Sequence, residues 1–149
     1  MAQAVPGAGV TTAELAPAEP APRPRPATAS LRYRPESARA ARLLVRGKLQ
    51  EWGLTELVDP AELIVTELVS NACKTGCLTF MQVAVRRPAP GFVRVSVRDG
   101  SLELPVLLKA GDDEECHRGL ALVHELTSGR WGTTLEPRGK RVHADLPIP

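Results

Sequence analysis

Glu67 and Asn71 stand four residues apart in the string ELVSNACKTG, Glu67 to Gly76, a spacing that projects both from one face of a helix. A carboxylate so placed can take a proton from, or orient, a hydroxyl or water attacking a phosphoryl group. An amide oxygen one turn later can complete the shell of a magnesium ion whose other ligands are waters and phosphate oxygens. Asp99-Gly100 ends an alternating stretch, where a carboxylate could accept a hydrogen bond from the exocyclic amine of a base and the glycine leaves room for a ring. Arg118-Gly119 precedes Leu120-Ala121-Leu122-Val123, and Gly119 is expected to open a helix whose free N–H groups and positive dipole end suit phosphates. Each pattern also has a plainer reading: a solvated helix face, a turn, a cap.

Cys73 and Cys77 are spaced C-x3-C, and Cys116-His117 lies farther along, so a four-ligand zinc site can be drawn. The spacing matches no strong zinc pattern, and Cys73 reads better as small apolar filling. His124 and His143 stand alone in regular elements and read as structural.

The elements that must position these groups are legible from periodicity. Ala38, Ala41, Val45, Leu49 and Trp52 form a helical stripe from Pro35 to about Trp52, stopped by Gly53. The outer side of that helix is expected to hold Arg39, Arg42, Arg46 and Lys48. With Arg32 and Arg34 these make six bases against the single acid Glu36, a basic patch that is either a solvated face or a docking surface. Asp59-Pro60, with Glu62 three residues after Asp59, predicts the N-cap and capping box of a second helix reaching Ala72 or Cys73, with Leu63, Ile64, Leu68, Val69 and Ala72 on its apolar side. Leu78 to Arg86 and Phe92 to Asp99 alternate as two strands joined by the turn Pro88-Ala89-Pro90-Gly91. Residues 101 to 117, which include Asp112, Asp113, Glu114 and Glu115, read as a mobile lid. A short helix from about Gly119 to Gly129 follows. A last hairpin has strands Trp131 to Leu135 and Arg141 to Ile148 around Pro137-Arg138-Gly139-Lys140. This order predicts helices layered on one face of a largely antiparallel sheet, an α/β two-layer sandwich.

The 149 residues carry 19 Lys plus Arg against 17 Asp plus Glu, a net charge of +2, too weak for general nucleic-acid binding. Of the first 29 residues, 15 are Pro or Ala, which predicts a disordered tail over 1–29 and a folded domain over 30–149. In that domain Ile, Leu and Val supply 32 positions and Phe, Trp and Tyr five, an aliphatic core of ordinary size. No run approaches the roughly 20 apolar residues of a membrane span. No secretory signal pattern is present, so the protein is expected to be cytoplasmic, in keeping with an odd number of cysteines.

Four segments in order carry a resemblance. ELVSNACKTG resembles the N box of the GHKL (histidine kinase-like) ATPase superfamily, and VRDGSLELP, Val97 to Pro105, is similar to its adenine-binding box. ECHRGLALV, Glu115 to Val123, resembles the glycine-containing box after the lid, and WGTTLEPRGKRVHADL, Trp131 to Leu146, the terminal hairpin of the small anti-sigma factor serine/threonine kinase branch. Arg39 and Arg42 also sit where that branch has arginines. The resemblance covers about residues 31 to 148 and implies the Bergerat fold, a mixed, mostly antiparallel sheet with about three helices on one face. It implies ATP and Mg2+ as cofactors. Glu67 is then the catalytic base, Asn71 the magnesium ligand, and Lys74, Asp99, Gly100, Arg118, Gly119 and Leu120 ATP contacts beside Asn71. A sigma factor and an anti-sigma factor antagonist are the implied protein partners, with homodimers common in the branch and no direct role for nucleic acid or membrane. The chain departs from the pattern at Lys74-Thr75-Gly76, where Arg-His-Gly is usual, at His117, where the branch has Gly before Arg-Gly-Leu, and at Arg141, where it has Thr. These departures keep a second reading open, a catalytically degenerate pseudokinase that docks partners through its basic first helix.

Overall fold

Side chains that alternate along a strand can bury one face only if helices cover it, and three aliphatic triplets here do so. The computed structural model describes residues 24–75, 80–100 and 114–149. The tail over 1–23 and the stretch 101–113 read as a lid lie outside the described residues. Strands β1 (Ala27–Arg32), β2 (Phe80–Ala89), β3 (Phe92–Asp99), β4 (Trp131–Glu136) and β5 (Gly139–Pro147) form one sheet in the order β1-β2-β3-β5-β4. Every pairing among the described residues is antiparallel. Met81, Val83 and Val85 from β2, Val93, Val95 and Val97 from β3, and Val142, Ala144 and Leu146 from β5 are all buried against the helix layer. The result is the expected α/β two-layer sandwich.

Helix α1 (Ser37–Glu51) buries Ala41, Val45 and Leu49 completely. It closes in a Schellman arrangement: Gly53 has φ +72°, and the N–H groups of Leu54 and Gly53 donate to the carbonyls of Leu49 and Gln50. Helix α2 (Val58–Thr75) starts before the expected cap. A 3-10 turn over Thr55–Leu57 feeds straight into it, so Asp59 lies inside the first turn. There it still favours the positive end of the helix dipole, and Pro60 spends its missing N–H where no partner is needed. Ile64, Leu68, Val69 and Ala72 are buried, whereas Leu63 points outward, 48% exposed.

Helix α3 (Glu114–Thr127) begins five residues before Gly119, so residues 114–117 are helical where a lid was expected. It ends with Ser128 and Gly129 at positive φ and the Gly129 N–H donating to His124 O.

Three further features differ from the sequence expectation. Residues 27–29, read as tail, belong to β1, whose Ala27 to Arg32 pair with Val85 to Phe80. The run Ala-Thr-Ala-Ser-Leu-Arg holds one large apolar residue, so a neighbouring strand and not intrinsic preference makes it extended. Lys48 is not on the outer side of α1: it is buried, bonded to Glu51 and set over the Trp52 ring. Both hairpin turns are shorter than expected, because Pro88 and Ala89 are still in β2 and Gly139 and Lys140 are already in β5.

The sheet face away from the helices is polar. Arg94 binds Asp145 through two bonds of 2.7 and 2.8 Å, the bidentate geometry that suits guanidinium and carboxylate. Arg98 and Arg141 both hold Glu136, and Arg141 also reaches Gln82 and Ser96. The Arg98 hydrogen bond, helped by Arg141, lowers the Glu136 pKa. No helix among the described residues is long and apolar enough to cross a membrane.

His143 lies on this face against Gly132, with its pKa lowered by desolvation and then by Arg94. The unfolded chain therefore binds the proton more readily, and the stability from neutral His143 is complete above pH 6.5 and lost as pH falls below it. Urea unfolding across pH 7.5 to 5 is expected to show this decline, and His143→Gln to flatten it. Glu136 acts in a separate window, its contribution fading as pH falls below 4.5.

Candidate functional site

Helix α2 packs on both α3 and β3, the three elements that carry the chemistry-bearing residues. Glu67 and Asn71 are both half-buried on α2, one turn apart as the spacing requires. Gly119 on α3 is buried beneath the Glu67 side chain: a Cβ built on Gly119 would stand 2.2 Å from Glu67 Oε2 and 3.1 Å from its Cδ. A side chain at 119 would require that carboxylate to move.

This gives Gly119 a role different from the one expected. It is the sixth residue of α3, past the first turn, so its N–H belongs to the internal ladder and not to the free donors at the helix start. The free donors belong to the residues from Glu114 onward. The Arg118 and His117 side chains lie outside the described residues. Leu120 is 2% exposed and faces the core, and Lys74 is exposed in the last turn of α2.

Asp99 closes β3 and is buried, 3% exposed. Gly100 follows it, its N–H donating to the Tyr33 hydroxyl at 3.1 Å. Directly across the ladder from Asp99 stands Lys140. Its ammonium bonds Asp99 Oδ1 at 3.1 Å, with both side chains 3% exposed. The approach of β5 to this corner is very close: a Cβ on Gly139, whose φ is +153°, would fall 1.9 Å from the Asp99 carbonyl oxygen, so only glycine is tolerated there.

Lys140 and Tyr33 are the site residues that the sequence reading passed over. Lys140 looked like part of a turn, and Tyr33 precedes the first helix with nothing local to tie it to position 100. The Arg141 side chain, at one of the departures from the pattern, lies on the opposite face of the sheet from Asp99, with Glu136, Gln82 and Ser96. Successive strand residues face opposite ways, so the residue aimed at Asp99 is Lys140.

Among the described residues no group of three or more His, Cys, Asp or Glu stands together. Of the drawn zinc ligands, Cys77 and the side chains of Cys116 and His117 lie outside the described residues. Cys73 packs against the core, its thiol pKa raised by burial, as filling would have it. His124 accepts a hydrogen bond from the Trp131 indole N–H at 3.1 Å, a structural contact between α3 and β4.

The family model described as histidine kinase-like ATPase domain matches residues 31–144, from β1 into β5. A comparison with curated proteins finds no match.

The seating of Glu67 on Gly119 has a measurable consequence. Ala is better than Gly in a helix interior by roughly 1 kcal/mol, so Gly119→Ala in a Glu67→Ala background is expected to stabilise by about that amount. In the otherwise wild-type chain the gain should vanish or reverse, because the carboxylate must swing away. A double-mutant cycle by urea unfolding reads the difference, and additive effects would contradict the contact.

Proposed function

The chain belongs to the histidine kinase-like ATPase domain family, and from that premise we propose that it is an ATP-binding regulatory protein acting as a serine/threonine kinase of the anti-sigma factor type. The observation that carries this reading is the Glu67 carboxylate, seated on Gly119 one turn before Asn71. Adenine lies against Gly100 with its amine directed to Asp99, and the phosphates run toward Asn71, Lys74 and the start of α3. Asn71 would hold a magnesium ion through its amide oxygen, and the ion would supply charge neutralisation to the phosphates.

The substrate is a serine or threonine hydroxyl on an antagonist protein. Its oxygen bonds the γ-phosphorus while the bond from that phosphorus to the β–γ bridging oxygen breaks, ADP leaves, and the hydroxyl proton passes to Glu67. The same domain binds a sigma factor in the cytoplasm, as a homodimer in this reading. Its docking face is on α1, where exposed Arg39, Leu43 and Arg46 lie beside half-buried Arg42. Arg42 and Arg46 bond Thr66 and Glu62 of α2.

One observation favours the second reading, a pseudokinase that keeps the fold as an interaction module: Asp99 is already engaged by Lys140. Calorimetry with ATP and magnesium separates the two. Binding heat from the wild type that disappears in Asp99→Asn is expected, and no heat from the wild type would sink the kinase reading. With ATP bound, Glu67→Gln is expected to cut phosphoryl transfer to the antagonist by about 10² to 10⁴ while leaving ATP affinity within a few-fold. A wild type that binds ATP but transfers no phosphate points to the module.

A further inference from the structure

A buried carboxylate at the end of β3 is suited to a neutral amine donor, yet the donor this chain supplies is its own lysine. Lys140 and Asp99 are opposite each other in the β3–β5 ladder, 3.1 Å apart and both almost fully buried. The pairing is built in by the backbone. Gly139 lets β5 close onto the Asp99 carbonyl where any side chain would collide, and strand alternation then aims the next residue, Lys140, at the same side of the sheet as Asp99.

We propose that Lys140 is an internal competitor for the adenine amine, a latch on the nucleotide site that ATP opens by displacing the ammonium from Asp99. The inference rests on the ATP-binding reading above. Its physical basis is that an ammonium–carboxylate hydrogen bond is stronger than one from a neutral amine, so the base alone cannot win the carboxylate. The triphosphate contacts on α2 and α3 must offset the difference. The latch thereby lowers affinity for adenine and adenosine more than a bare Asp99 would, and makes occupancy of the site depend on the phosphate-binding half being in place. A partner that bears on β5 or on the Gly139 turn acts on nucleotide affinity through the same pair.

The experiment is ATP–magnesium calorimetry on the wild type and Lys140→Met, with Asp99→Asn/Lys140→Met as a control in which no buried charge is stranded. Loss of one partner of a buried pair is strongly destabilising, so Lys140→Met is expected to melt earlier than the wild type without nucleotide and to gain more from ATP. Its ATP affinity should rise by about tenfold to a hundredfold, the worth of a charged hydrogen bond no longer given up. The double variant should lose that gain. Equal or weaker ATP binding by Lys140→Met overturns the latch and leaves the ATP-binding reading standing. Absence of ATP binding in the wild type and in Lys140→Met overturns both.

Should Lys140→Met fail to fold, the wild type answers alone. Amine-reactive labelling read by mass spectrometry is expected to find Lys140 slow in the free protein and faster when saturated with ATP, against the buried, paired Lys48 as a reference whose rate does not change. Lys140 labelling equally slowly with and without ATP shows that the nucleotide enters beside an intact pair, and the latch is then wrong.

Discussion

The pairing of β3 with β5 is the contact on which the other features depend. The two strands are separated in sequence by α3 and β4, yet they run side by side from Phe92↔Pro147 to Asp99↔Lys140 without a shift. Bringing such distant segments together costs loop-closure entropy, which the ladder and the apolar face beneath it must offset. Val93, Val95 and Val97 meet Val142, Ala144 and Leu146 across this ladder, all at most 4% exposed, and α2 and α3 both rest on it. A slip of β5 by one residue would turn Val142, Ala144 and Leu146 toward the outer face and carry Lys140 away from Asp99. Gly139 anchors the end of the register, since no other residue can sit against the Asp99 carbonyl.

That ladder divides the protein into two chemical regimes. Toward the helices the sheet is aliphatic, and its buried polar pair there is Lys140 with Asp99. Away from the helices it carries guanidinium–carboxylate pairs that span three strands, Arg94–Asp145 and the Arg98–Glu136–Arg141 group. The Arg141 guanidinium reaches the hydroxyl of Ser96 on that side, a residue 2% exposed. The arginine at 141 thus belongs to the ion-pair group of the outer face, while its neighbour at 140 pairs with Asp99 on the other.

Much of the fold was legible because its signals are local. The valine alternation in β2 and β3, the stripe in α1 and the Glu67–Asn71 spacing in α2 depend only on residues two to four apart, and the elements that carry them are present, although β2 runs on to Ala89. The misses have one common cause. Strand β1 has too little apolar content to announce itself and becomes extended by pairing with β2. The start of α2 moves forward because a 3-10 turn precedes it, and that of α3 because residues 114–118 continue the helix past any cap signal. Lys48 and Lys140 carry charges that favour the surface, and are buried only because Glu51 with Trp52, and Asp99, wait for them.

The sequence by itself determined which faces are apolar, which residue types stand one turn apart on α2, and that a carboxylate followed by glycine ends a strand, since each is a consequence of backbone period acting over a few residues. Only the tertiary structure decided what those groups meet. Whether Asp99 looks onto open space or onto an ammonium depends on the register of two strands some 40 residues apart, and whether Gly119 is a helix start or a seat for Glu67 depends on how α3 lies on α2. Packing between segments distant in the chain is a property of the whole core, and no window of the sequence contains it.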